Sequence, residues 1–137
     1  MLLSQEYKSE GGDLQDKPVI SVAIVDDEAD FTRLMIMLLK KRGMGVSFVA
    51  HDGEEAVEMF KNSPDKPDVI LMDHHMKVVD GIEATKRILD ISKDTSVIFL
   101  SADCHVMDEA IKAGACAFLN KPAGINDIIN AIKNCMD

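Results

Sequence analysis

Val69-Ile70-Leu71-Met72-Asp73-His74-His75-Met76-Lys77-Val78-Val79-Asp80-Gly81 is the stretch on which the fold turns. Four apolar residues run without interruption into a carboxylate. A short loop follows, and Asp80-Gly81-Ile82 opens a helical pattern with Asp80 suited to the N-cap. An unbroken apolar run of this kind reads as a strand buried on both faces, the signature of a parallel sheet. Ligands of such sheets sit outside the carboxyl ends of the strands, which is where Asp73 stands.

Working outward, the same alternation repeats. Val19-Ile20-Ser21-Val22-Ala23-Ile24-Val25 reads as a first strand ending in Asp26-Asp27-Glu28. A helix from Ala29 to Arg42 follows, with Phe31, Leu34, Met35 and Leu38 at helical spacing. Lys40, Lys41 and Arg42 suit its negative end, and Gly43 and Gly45 stop it. Taking the core face as centred on Phe31 and Leu38, Ile36 and Met37 point away from it. They are candidates for a docking surface, set against the ordinary scatter of exposed hydrophobes.

Val46 to Ala50 is the second strand, and Glu54 to Asn62 a helix burying Ala56, Val57 and Phe60. Ser96 to Leu100, ending at Ser101-Ala102, is the fourth strand, and Val106 to Ala113 the next helix. Cys116 to Asn120 is the fifth strand, followed by Lys121-Pro122. The last helix carries Ile125, Ile128, Ile129, Ile132 and Met136 on one face. Strands alternating with helices imply a doubly wound α/β fold with a five-stranded parallel sheet and five helices. Residues 1–17 are polar and aperiodic and read as a flexible N-terminal tail, leaving 18–137 as one domain.

Composition narrows the function. The longest apolar run, Leu34 to Leu39, is too short to span a bilayer. The N-terminal residues lack a basic and an apolar segment of a signal peptide, so a cytoplasmic location is expected. A net charge of −9 argues against direct nucleic-acid binding, which needs basic patches. Cys104, Cys116 and Cys135 are odd in number and lack metal-ligand spacing, so reduced thiols are expected. His74-His75 with Cys104 shows no tetrahedral zinc pattern. The methionines read as core filler.

A parallel sheet puts all its strand ends on one edge. That edge collects Asp26, Asp27, Asp73, Ser101 and Lys121. Carboxylates packed together repel and need cations. Lys121 is one, and a hard divalent ion held through oxygen, magnesium above all with manganese as the alternative, would be another. Such a group suits phosphoryl transfer to a carboxylate nucleophile, with the lysine and the serine hydroxyl stabilising charge on the transferring group. Capping and solvated loop acids are the plainer reading of the same aspartates.

Asp26-Asp27, the Asp73…Asp80-Gly81 stretch, Ser101-Ala102 and Lys121-Pro122 together resemble the receiver domain of two-component response regulators, over about residues 18–137. The resemblance implies a flavodoxin-like, CheY-like sheet of order 2-1-3-4-5. It implies Asp73 as phosphoacceptor, with Asp26, Asp27, Asp73 and the backbone carbonyl of His75 around the metal. It implies Ser101 and Lys121 on the phosphoryl group, Ser101 and Phe118 as switch residues, and a cis Lys121–Pro122 peptide. The family's usual Met-Pro is here Met76-Lys77, which leaves His75 and Lys77 as residues that tune the lifetime of the phosphoryl group. Phe118 in place of the commoner Tyr removes a hydroxyl from any readout.

The expectation is a stand-alone response regulator, monomeric or weakly dimeric, with no output domain in the sequence on either side of residues 18–137 and no enzymatic activity beyond its own phosphorylation and dephosphorylation. A sensor histidine kinase or histidine phosphotransfer protein would supply the phosphoryl group. A downstream protein target would read the face of helix four, strand five and helix five, with no nucleic acid or membrane bound directly. An unphosphorylated interaction module and an Asp-nucleophile phosphohydrolase are the alternatives.

Overall fold

A computed structural model describes residues 19–76 and 79–137. The tail and Lys77 lie outside the described residues. The elements are β1 (Ser21–Val25), α1 (Ala29–Lys41), β2 (Gly45–Ala50), α2 (Gly53–Asn62), β3 (Val69–Asp73), α3 (Gly81–Ile91), β4 (Ser96–Ser101), α4 (Met107–Ala113), β5 (Ala117–Asn120) and α5 (Ile125–Met136). A short 3₁₀ turn, Cys104–Val106, leads into α4. All strand pairings are parallel, in the order β2-β1-β3-β4-β5. The architecture is the doubly wound sheet that the alternation implied.

β3 lies at the centre and every residue of it is buried. Its alternation divides the core into two layers. Ile70 and Met72 pack with Phe60 of α2, Ile82 and Ile88 of α3, and Ala110 of α4. Val69 and Leu71 pack on the other face with Met35 and Leu39 of α1 and Ile128, Ile129 and Ile132 of α5. A strand sandwiched this way has no polar face, which is why its sequence shows no alternation.

Three expectations need correction. The buried face of α1 is Thr32, Met35 and Leu39, not one centred on Phe31 and Leu38. Thr32 satisfies its hydroxyl by donating to the Ala29 carbonyl at 2.9 Å, so a polar residue occupies a core position that an apolar count skips. With the helix so turned, Ile36 is half-buried and packs against the core. Met37 is exposed, and Leu34 joins it on the surface. On α5, Met136 is 42% exposed, and Ala131 is buried in the helix.

The third correction concerns the thiols. Cys116 and Cys135 form a disulfide, and Cys104 is free and exposed. Cys116 precedes β5 and Cys135 lies in the last turn of α5; the chain folds back so that these ends meet, with Cα atoms 6.2 Å apart. A separation of 19 residues carries no sign of this pairing. Closing a loop of that length stabilises the fold by about 3 kcal/mol through the entropy of the unfolded chain. Urea unfolding with and without reductant measures it. The oxidised protein is expected to be the more stable by roughly that amount, and Cys116→Ser to behave like the reduced protein in both conditions. Identical transitions for oxidised and reduced wild type would show that the two thiols stay apart in solution.

Candidate functional site

The site is built on the carboxyl edge of the sheet. Asp26 follows β1 directly. Its backbone N–H donates to the Ala50 carbonyl at 3.0 Å, which extends the β1–β2 ladder by one bond and holds the residue in place. Its side chain is buried, with the residue 1% exposed. One carboxylate oxygen accepts from the Glu28 N–H at 2.9 Å and the other from Lys121 Nζ at 2.6 Å. Asp73 closes β3 and is 6% exposed. Its Oδ1 lies 3.5 Å from Lys121 Nζ. Asp27 is exposed, and carboxylate oxygens of Asp26, Asp27 and Asp73 all lie within 4.8 Å of one another.

The loop after Asp73 is seated by a glycine. A Cβ at Gly81 would stand 2.4 Å from the Asp73 carbonyl oxygen and 2.9 Å from His74 Cα. Only glycine lets the start of α3 approach the loop after Asp73 this closely. Asp80 caps the helix by accepting from the Glu83 N–H at 2.9 Å. The Gly81 N–H donates to the His74 carbonyl at 3.2 Å, and the Met76 N–H to the same oxygen at 2.9 Å. Lys121 is held from the other side. Its N–H donates to the Ser101 carbonyl at 3.0 Å, and the peptide to Pro122 is cis.

Charge decides the chemistry available here. Burial, then the neighbouring charge of Asp26 and more weakly Asp27, pushes the Asp73 carboxyl above its ordinary range, and Lys121 only partly opposes them. For Lys121, burial works against its charge. The hydrogen bond and charge of Asp26, followed by Asp73 and Glu28, overcome burial and hold its pKa above the usual lysine value. One ammonium thus faces the three aspartates and Glu28, whose Oε1 is 3.6 Å away. The excess negative charge, carried by hard oxygen donors, fits a hard divalent cation at Asp26, Asp27 and Asp73. Among the described residues no other group of three His, Cys, Asp or Glu side chains has such geometry.

The remaining candidates distribute as follows. Ser101 is fully buried at the end of β4, where Oγ accepts from the Asp103 N–H at 3.1 Å. Phe118 on β5 is half-buried and stacks on Phe99 with centroids 6.4 Å apart. His75 is exposed and lines the small cleft that also holds Asp27, Glu28, Asp73, Ala102 and Lys121. His74 is half-buried, 6.2 Å from the Phe99 ring, and its Nδ1 is buried without a partner among the described residues. Ile36 and Met37 lie on α1 outside this cleft. Sequence reasoning missed Glu28 and Phe31. Both touch Lys121 across a long stretch of chain, with the Phe31 ring centroid 4.7 Å from Nζ.

Residues 22–133 match the response regulator receiver domain family. The chemotaxis protein CheY of Thermotoga maritima is 40% identical over 114 residues, covering 81% of this chain and 92% of that protein. The chain belongs to the response regulator receiver family. CheY of Bacillus subtilis is 37% identical over 85% of this receiver and 97% of its own length. A CheX–CheY complex with BeF3 and magnesium from Borrelia burgdorferi contains a chain 27% identical, superposing with a TM-score of 0.81 over 86% of this chain and 90% of that one. The receiver spans about half the length of the transcriptional regulator TrcR of Mycobacterium tuberculosis, with 47% of it covered at 34% identity. Receivers are signalling modules, and the Asp26, Asp27 and Asp73 group of this one could hold a metal ion. No helix among the described residues is long and apolar enough to cross a membrane.

The raised pKa of Asp73 gives a signed stability prediction for the metal-free protein. Between the ordinary value of 3.8 and the raised folded value, the folded state binds more protons than the unfolded one. Stability therefore falls as pH rises through that window, and the penalty is complete above it. Asp73→Asn removes the charge without changing the shape. In EDTA its melting temperature is expected above wild type at pH 7, with the difference shrinking as pH falls toward 3.8. A mutant melting below wild type at pH 7 would contradict the assignment of Asp73 as the destabilised charge.

Proposed function

We propose that this receiver accepts a phosphoryl group on Asp73 from the phosphohistidine of a sensor kinase or phosphotransfer protein. The observation that carries the reading is Asp73 at the end of the central buried strand, within 4.8 Å of two further carboxylates and beside Lys121. An Asp73 carboxylate oxygen attacks phosphorus. The P–O bond forms as the donor's P–N bond breaks, and the imidazole leaves with the bonding pair and takes a proton. No general base is needed, because ionised Asp73 has no proton to lose.

Lys121, already 3.5 Å from Asp73 Oδ1, pairs with the charge on the transferring group. The Ser101 hydroxyl donates to the same oxygens after giving up its contact with Asp103. Asp26, Asp27, Asp73 and the backbone carbonyl of His75 would hold magnesium, which supplies further charge neutralisation. His75, at the mouth of the cleft, sets access of water to the acyl phosphate and so its lifetime.

Output follows from the coupling of the edge to α4, β5 and α5. Movement of Ser101 draws on the backbone of Lys121 through their 3.0 Å bond. Phe118 sits three residues before Lys121, opposite Phe99 in the sheet, and stacks on its ring. Phosphorylation shifts the population between two arrangements of this face. Met107 and Ile111 of α4 are 45% and 47% exposed and offer a target apolar contact. The donor docks instead along α1, where Leu34 is 48% exposed and borders an apolar groove of about 520 Å³ with Phe31, Leu38, Pro122 and Ile125.

Incubation with magnesium and acetyl phosphate, followed by intact mass, is expected to show one phosphate adduct that Asp73→Asn lacks and that His75→Asn holds for a different time. No adduct would favour a passive interaction module, and continuous turnover of varied phosphoesters a phosphohydrolase. Leu34→Lys is expected to slow transfer from the donor protein about tenfold, equivalent to about 1.4 kcal/mol, while leaving acetyl phosphate reactivity unchanged. An unchanged rate from the donor would remove α1 from docking.

A further inference from the structure

Lys121 is the only side-chain cation in contact with the buried carboxylates among the described residues, and its surroundings are unequal. Asp26 holds it at 2.6 Å, Asp73 stands at 3.5 Å and Glu28 at 3.6 Å. Asp26 and Asp73 are buried, whereas the Glu28 side chain is 69% exposed. A lysine has a flexible stem, and nothing in these three ion pairs alone keeps it from leaning outward toward Glu28 and water. The remaining side is closed by an aromatic ring. Phe31, in the first turn of α1, places its ring centroid 4.7 Å from Nζ. The lysine side chain is only 18% exposed.

We infer that Phe31 is a positioning residue for Lys121, its ring face holding the ammonium between Asp26 and Asp73, where a phosphoryl group on Asp73 would need it. The physics is specific. The negative face of the ring attracts a cation, and more strongly where water is excluded. An aliphatic residue of similar size would fill the space but offer no such attraction. A carboxylate in its place would bind the ammonium too well and withdraw it from Asp73. Phe31 also borders the apolar groove between α1 and α5, so one ring is shared between the cleft and the surface beside it. The inference rests on the reading of Asp73 as acceptor, but the ring–ammonium contact itself does not.

The test therefore has two readouts. With labelled lysine and Lys121→Arg for assignment, the NMR signals of the Lys121 terminal methylene and ammonium are expected upfield in unphosphorylated wild type, because they lie over a ring. Phe31→Leu, which keeps an apolar side chain in the helix, should abolish that displacement, and Phe31→Tyr should retain it. The second readout is the rate of adduct formation from acetyl phosphate. Phe31→Leu is expected to lower it about fivefold and Phe31→Tyr to restore it to within about twofold. Mono-, di- and trifluorinated phenylalanine at position 31, which drain the negative face with little change of shape, should lower the rate stepwise.

Absence of the upfield displacement would overturn the contact. A displacement that is present, with rates that are equal across Phe31→Leu and the fluorinated series, would overturn the positioning role. A wild-type protein that forms no adduct would instead defeat the acceptor reading, and the role with it, while the NMR result stood.

Discussion

The concentration of negative charge at one edge of the sheet is the constraint to which the rest of the molecule answers. Asp26 and Asp73 are both buried, and Asp27 stands close by. Left alone, such carboxylates would protonate or push the strands apart. Lys121 prevents this only in part, which is why the Asp73 carboxyl remains raised. A site that is underneutralised at rest is one in which an added cation has a reason to bind. The folded state tolerates the arrangement because fifteen-odd kilodaltons of chain supply a two-layer core around β3.

That core also explains the precision of the edge. Parallel pairing sets β1, β3, β4 and β5 side by side in register, so residues just past their ends share one cleft without further design. Small backbone devices finish the placement. The Asp26 N–H continues the ladder to β2, Gly81 lets α3 close on the loop after Asp73, and the Lys121 N–H bonds to the Ser101 carbonyl. The last of these ties the residue after β5 to the end of β4. His74, Phe99 and Phe118 form a row of rings from the loop after Asp73 to β5.

The readings that failed did so for identifiable reasons. An apolar count of α1 placed its core face on Phe31 and Leu38, because Thr32 looks polar in sequence. In the helix its hydroxyl is consumed by the Ala29 carbonyl, and the residue becomes core. The face turns with it, burying part of Ile36 and freeing Leu34. The Cys116–Cys135 pairing was invisible for a different reason: it depends on how α5 returns along β5. Local patterns report periodicity and cannot report which chain ends meet.

By itself, the sequence determined the alternation of strands and helices, the burial of β3, and the collection of Asp26, Asp27, Asp73, Ser101 and Lys121 at strand ends. These follow from period and order, since every parallel strand points the same way. Only the tertiary structure decided that Lys121 binds Asp26 more closely than Asp73, that Glu28 competes for it, and that Phe31 covers it. Those contacts join residues up to 95 positions apart and are set by angles and distances between packed layers. The strength of an electrostatic contact depends on separation and burial, and neither is written in local sequence.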